Sequence, residues 1–326
     1  MDLKQIFSRR FCAGQNYAQP IIYEWEDVIA KEMNVLVVSY PPLYRVVNRL
    51  NIHSPLIGPF KDSFRFVING RNCDEPMNSK HVITCIIDFF EKEKQLQEFY
   101  EKHSRNRLVL LSSPFDYHYL KANNCPLNIG LFAYSLSNKY AITNNRAEKQ
   151  YDIVLTGRQD PLLYSFFKEY VKRHPDVTYV KRGNDLDNDS SKTKDYFVNG
   201  RENLGTVETR DEFMNLQAKG KVTLYGVQGY LDGFTKGFYH MTPHFLEIIA
   251  CGCHVIAHYP TDLDGVDARY YEIDRFSPSI ESYEEFESAM DKALNTEVDM
   301  GMYSKYLKKH YTSTRVVELR ELLKEL

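Results

Sequence analysis

The sequence predicts an α/β protein of two Rossmann-like domains, on three observations. Short apolar runs of buried-strand type alternate with helical-period segments. The alternation restarts at Tyr151 after a polar stretch. The chain has 326 residues, enough for two domains that each close a core of their own.

In the first half, Lys4 to Phe11 is a strand or a basic arm, and the turn after it contains Gly14. Ile21 to Lys31 is helical in pattern, and Asn34 to Ser39 is a continuous apolar run expected as a buried parallel strand. Phe64 to Ile68, Val82 to Ile87, Leu108 to Leu111 and Ile129 to Tyr134 read as strands, with a helix over Lys92 to His103. In open α/β sheets ligands bind beyond the carboxyl ends of strands. Asp88 follows one strand, and Asp116 and His118 lie in the cluster after another, so these three are the candidate bases. A helix cap at Asp116 and an ordinary exposed position at His118 are the structural alternatives.

Leu136 to Gln150 lacks periodicity and reads as a linker. Tyr151 to Leu155 then opens the second domain as a buried strand, followed by the turn Gly157-Arg158 and a helix capped by Asp160-Pro161. Val177 to Lys181 and Tyr196 to Asn199 are strands. Between them Asp185, Asp187 and Asp189 alternate in a polar insertion. A calcium loop wants Gly where Ser190 stands, so a solvated loop is expected and no metal site is assigned. Thr209 and Glu212 form a capping box opening a helix, and Lys221 to Tyr225 leads into a Gly-rich loop with Lys236. That loop lacks the spacing of a dinucleotide-binding or P-loop motif. Tyr270 to Ile273 reads as a late strand, Ser282 and Glu285 as a second capping box, and two helices close the chain. The last carries an apolar stripe of Val316, Val317, Leu319, Leu322, Leu323 and Leu326; forming an oligomer is one use open to it.

Between the Gly-rich loop and the late strand lies the segment Thr242 to Ile256. Thr242 suits an N-cap, Pro243 the first helical position, and Gly252 a left-handed stop before Val255-Ile256. Phe245, Leu246, Ile248, Ile249 and Ala250 make the helix apolar almost all round, leaving Glu247 as a lone buried carboxylate in need of partners. Pairing with an Arg or Lys elsewhere is one account. The other places a phosphate on the helix N-terminus and a ribose diol on Glu247, roughly 6 Å further along the axis at about 1.5 Å per residue.

The segment Thr242-Pro243-His244-Phe245-Leu246-Glu247 through Cys251-Gly252 to Val255-Ile256 resembles the donor-binding signature of GT-B glycosyltransferases of the group 1 and spore-maturation-like families. His244 stands where many relatives have Arg, and Tyr239 where retaining members carry a first Glu, which leaves the stereochemical outcome open. The resemblance implies two domains facing a cleft: 1–145 on the acceptor side, 146–305 for the donor, and helix 306–326 crossing back. It implies a nucleotide-diphosphate sugar as donor, a saccharide or lipid-linked saccharide as acceptor, and metal-independent transfer without a cofactor. By the same resemblance Glu247 binds ribose, Arg158 and Gly157 meet the diphosphate, and Gly14 lies in a loop facing donor and acceptor. Lys236, Thr242, Pro243 and His244 complete the expected donor set. A GT-B-shaped nucleotide-sugar epimerase and a non-catalytic nucleotide-sugar sensor are the competing functions.

A net charge of -3 argues against a general nucleic-acid binder. The sequence has no run of eighteen apolar residues and no signal peptide, so a cytoplasmic location is expected. Lys4, Arg9 and Arg10 suggest peripheral contact with the inner face of the membrane. The six cysteines show no C-x-x-C spacing and are expected as thiols.

Overall fold

A computed structural model describes residues 1–11, 19–39, 61–68, 78–142, 147–186, 193–230, 235 and 237–326. The chain forms two compact units, Met1–Lys139 with His310–Leu326, and Tyr140–Lys309. Among the described residues no helix is long and apolar enough to cross a membrane.

The first unit contains β1 (Gln5–Ser8), α1 (Gln19–Met33), β2 (Leu36–Ser39), β3 (Ser63–Ile68), β4 (Val82–Ile87), α2 (Lys94–His103), β5 (Val109–Leu111), α3 (Pro114–Ala122) and β6 (Ile129–Leu131). Its six strands pair in parallel in the order β2-β1-β3-β4-β5-β6. Every residue of β3 and β4 is buried, as near-continuous apolar runs in a parallel sheet require. Phe64, Phe66, Phe132 and Trp25 pack together, and the Trp25 indole donates to the Ser135 carbonyl at 2.9 Å. The final helix, α10 in the numbering used below (Thr312–Lys324), lies against α1, and the backbone joins it to the segment after β6 through Leu136 and Thr312.

Two expectations change here. The apolar run ending at Ser39 is not buried on both faces: β2 is the sheet edge and Leu36 is 72% exposed. On α10 the stripe buries Val316, Leu319 and Leu323, but Val317 turns to solvent because it falls off their i, i+3, i+7 line. Of the basic N-terminal residues, Lys4 pairs with Asp2, and Arg10 with Glu26 and Asp27.

The second unit contains β7 (Tyr151–Leu155), α4 (Pro161–Arg173), β8 (Tyr179–Arg182), β9 (Asp195–Val198), β10 (Glu202–Thr206), α5 (Arg210–Ala218), β11 (Gly220–Gly226), α6 (His244–Ala250), β12 (His254–His258), α7 (Val266–Tyr270), α8 (Tyr283–Leu294) and α9 (Met300–Leu307). The sheet order is β10-β9-β8-β7-β11-β12. β7, β8, β11 and β12 are parallel, and β9 and β10 form an antiparallel hairpin on one edge. Both capping boxes form, Thr209 with Glu212 and Ser282 with Glu285. Gly252 takes φ 63°, the left-handed stop expected after α6. Tyr270 to Ile273 is not a strand: α7 ends at Tyr270, a 3-10 turn spans Ile273–Arg275, and Tyr271 and Ile273 are fully buried. A four-residue run with three apolar or aromatic residues fits a buried helix end as well as a strand.

Glu26 on α1 is 2% exposed and accepts from the Ser8 hydroxyl at 2.5 Å, with Arg10 at 3.1 Å. Burial pushes its carboxyl up to about 7, against the pull of the Ser8 and Arg10 donors. A raised folded-state value makes the contribution to stability complete below the unfolded value near 4.5 and lost as pH rises toward 7. Urea titrations should therefore show Glu26→Gln more stable than the parent by a few kcal/mol at pH 8, at about 1.4 kcal/mol per pKa unit, with the gap closing by pH 4.

Candidate functional site

In the second unit the strand order reverses at β7, with β8 on one side and β11 on the other. The carboxyl ends of β7 and β11 therefore form the crevice where ligands bind open α/β sheets. The loop after β7 carries Thr156, Gly157, Arg158, Gln159 and Asp160. Gly157 has φ 71° and an added Cβ there would meet nothing within 4 Å, so its backbone borders open space. Arg158 is exposed on the same turn.

Asp160 closes the loop by two bonds of different kinds. Its Oδ1 accepts from the Leu162 and Leu163 amides at 3.0 Å, capping α4. Its Oδ2 lies 3.1 Å from Nδ1 of His258, which ends β12 and is 1% exposed. At Gly226, ending β11, a Cβ would come within 2.5 Å of the Asp160 Cβ, so only glycine admits this carboxylate.

On α6, Glu247 is 2% exposed. Its Oε1 meets Arg210 Nη2 at 2.5 Å, and its Oε2 meets His244 Nδ1 at 3.3 Å. Burial by itself would raise this carboxyl, but the Arg210 charge and the His244 hydrogen bond outweigh it and hold it below the ordinary carboxylate range. The other ring nitrogen of His244 lies 3.5 Å from Thr156 Oγ1. Thr156 in turn donates to Gln217, and Gln217 to Thr223 in the centre of β11. A continuous polar chain thus runs from the first residue of α5 through α6 to the end of β7. Arg210 is held from its other sides by the rings of Tyr140 and Phe213, 5.8 and 5.4 Å from its guanidinium carbon.

The helix start differs from expectation. α6 begins at His244, Pro243 occupies the cap position, and no side chain caps it, so Thr242 is not the N-cap. Around its start, Met241 donates to Asp267, Thr242 to the Tyr225 hydroxyl, and Phe245, in its first turn, to the Thr242 carbonyl. An aspartate and a tyrosine from neighbouring elements thus hold the backbone that enters α6. Of the first-turn donors that a phosphate was expected to use, the Phe245 amide is already paired.

Gly14, Lys236, Asp187 and Asp189 lie outside the described residues; Asp185 is described, and its carbonyl accepts from Lys181 at 2.7 Å. Among the described residues Cys85, Cys125, Cys251 and Cys253 are free thiols, and Cys253 packs against the Gln217 and Gly220 carbonyls at 3.2 Å.

In the first unit Asp88 follows β4 directly, is half-buried, and accepts from the Tyr134 hydroxyl at 3.2 Å. Asp116 is fully buried in the first turn of α3, where Ser113 rather than Asp116 supplies the cap. His118 is exposed further along that helix. The structure therefore gathers Asp88 and Asp116 around Tyr134 and leaves His118 on the surface. Arg210, Thr156 and Gln217 escaped the sequence reading. The need for a cation beside Glu247 was legible, but not which one, because Arg210 lies 37 residues away in sequence.

Comparison of the sequence with protein-family models and with curated proteins returns no match. The fold matches solved structures. Trehalose-6-phosphate synthase OtsA aligns with TM-score 0.55 at 11% identity, over 94% of this chain and 84% of that one. The DNA-modifying enzyme β-glucosyltransferase, whose substrate is uridine diphosphoglucose, aligns with TM-score 0.52 at 10% identity, over 98% of both chains. The pneumococcal O-GlcNAc transferase GtfA, solved with UDP and GlcNAc, aligns with TM-score 0.51 at 9% identity, over 87% of this chain and 59% of that one. The chain has the GT-B fold, as the signature segment led us to expect.

The Glu247 pair yields a direct test. Arg210→Ala strands a buried carboxylate and is expected to cost about 3–5 kcal/mol in chemical unfolding. Replacing both partners, Arg210→Met with Glu247→Leu, should recover most of that loss, because the desolvation penalty goes with the charges.

Proposed function

We propose that the chain is a glycosyltransferase moving a sugar from a nucleotide-diphosphate sugar to a saccharide or lipid-linked saccharide acceptor. The observation that carries this reading is the ionised, buried Glu247 on α6, joined by His244 and Thr156 to the carboxyl end of β7 in a GT-B fold. Of its two contacts the His244 bond, at 3.3 Å, is the longer. In our reading a ribose hydroxyl takes that place while Arg210 keeps the charge compensated. Arg158, exposed beside the open backbone of Gly157, binds the diphosphate bidentately. His244 and Lys236 add donors.

The reaction follows from charge. As the bond from the anomeric carbon to the diphosphate breaks, negative charge grows on the leaving oxygen, and fixed cations there lower the barrier. In an inverting transfer the acceptor hydroxyl loses its proton to a base, for which Asp88 and Asp116 are the candidates. With side-chain cations as the leaving-group stabilisers, turnover should survive EDTA; its loss on chelation would overturn that part.

A thermal-shift screen over UDP, GDP and ADP and their sugars tests donor binding. A ligand at a hundredfold its Kd stabilises the folded state by about 2.7 kcal/mol. We expect one nucleotide family to raise the melting temperature, and Glu247→Ala and Arg158→Ala to weaken its sugar at least about tenfold, the loss of one charge-assisted hydrogen bond. Unchanged affinity in Glu247→Ala would remove the ribose assignment.

A further inference from the structure

The first unit carries polar groups at the carboxyl ends of three neighbouring strands, and two of them, Asp88 and Tyr134, pair. Asp88 follows β4, Ser112 follows β5, and Tyr134 lies three residues beyond β6. The Tyr134 hydroxyl donates to Asp88 Oδ1 at 3.2 Å. Asp116, on α3, is close enough for its charge to act on the same phenol. Tyr134 is 5% exposed, and the Trp25 ring packs on it at 5.9 Å. Burial, with the Asp88 charge beside it, pushes the phenol well above its usual range, so it remains a donor at any working pH.

Asp88 itself has φ 56°, in the left-handed region that a residue with a Cβ rarely adopts. Backbone held in that region clusters at functional sites. Of the three candidate bases, Asp116 has no exposed surface and His118 takes no part in the cluster, whereas Asp88 is half-buried with one oxygen committed to Tyr134.

We propose that Tyr134 is a positioning residue that holds the Asp88 carboxylate so that its other oxygen takes the proton of the attacking hydroxyl. The inference rests on the glycosyltransferase reading. The proton passes from the acceptor hydroxyl to Asp88, and the acceptor oxygen bonds to the anomeric carbon. The bond from that carbon to the diphosphate breaks, and the nucleoside diphosphate leaves with the electron pair. Tyr134 forms no bond to substrate and acts only through Asp88.

The test is a double-mutant cycle read by UDP release from UDP-glucose with water as acceptor, or from whichever nucleotide sugar most raises the melting temperature. Tyr134→Phe keeps the ring in its packing and removes only the hydroxyl. Asp88→Asn is expected to lower kcat at least about a hundredfold, as loss of a general base does. Tyr134→Phe should lower kcat about tenfold with KM for the donor unchanged. In the Asp88→Asn background it should do nothing more, because its partner is gone. Equal losses in both backgrounds, or an unchanged kcat in Tyr134→Phe, would overturn the proposal while leaving the glycosyltransferase reading intact. A parent protein that neither releases nucleotide nor is stabilised by any nucleotide sugar would overturn both.

Discussion

A carboxylate that has left water must be compensated where it stands, and Glu247 sets that condition for the second unit. Its charge lies on a helix whose other faces are apolar, and the residues that stabilise it come from elsewhere. Arg210 is the first residue of α5, so the Thr209–Glu212 capping box that fixes where α5 starts also fixes where the guanidinium points. His244 is held at both ring nitrogens, by Glu247 and by Thr156, and so ties α6 to the strand end. The start of α5, the start of α6 and the end of β7 are therefore a single electrostatic problem with one solution.

The same economy governs Asp160. One of its oxygens closes the N-terminus of α4 and the other orients His258, so cap and histidine cannot move independently. Gly226 is the steric condition for both, since a side chain there would occupy the carboxylate's place. In each unit the polar groups gather at the carboxyl ends of parallel strands, where backbone hydrogen bonding stops and side chains must finish it.

What was legible in the sequence was local. Apolar runs, capping boxes and the Gly252 stop follow from interactions within a few residues of one another. What failed depended on neighbours. Whether Asn34 to Ser39 was buried depended on its place in the sheet, and edge position is not encoded in a run of Val and Leu. Thr242 has the chemistry of a cap, but α6 starts at His244 with Pro243 in the cap position, and the backbone entering it is held by the Tyr225 hydroxyl and Asp267 from distant sequence positions. One local signal was present and unread: Asn199-Gly200, with φ 48° and 68°, is the two-residue turn that folds β10 back on β9.

That split bears on how the two halves of the chain reveal function. Glu247 and His244 sit in one contiguous segment because a helix brings side chains three residues apart onto one face, while Thr156 and Arg210 reach them from the loop after β7 and the start of α5. The polar residues of the first unit have no such economy. Asp88 and Tyr134 meet only because parallel strands end side by side, and they are separated by two crossovers, each longer than the roughly dozen residues a parallel connection requires. No spacing rule in the sequence can register that pairing; it follows from the order of the strands in the sheet, which only the fold supplies.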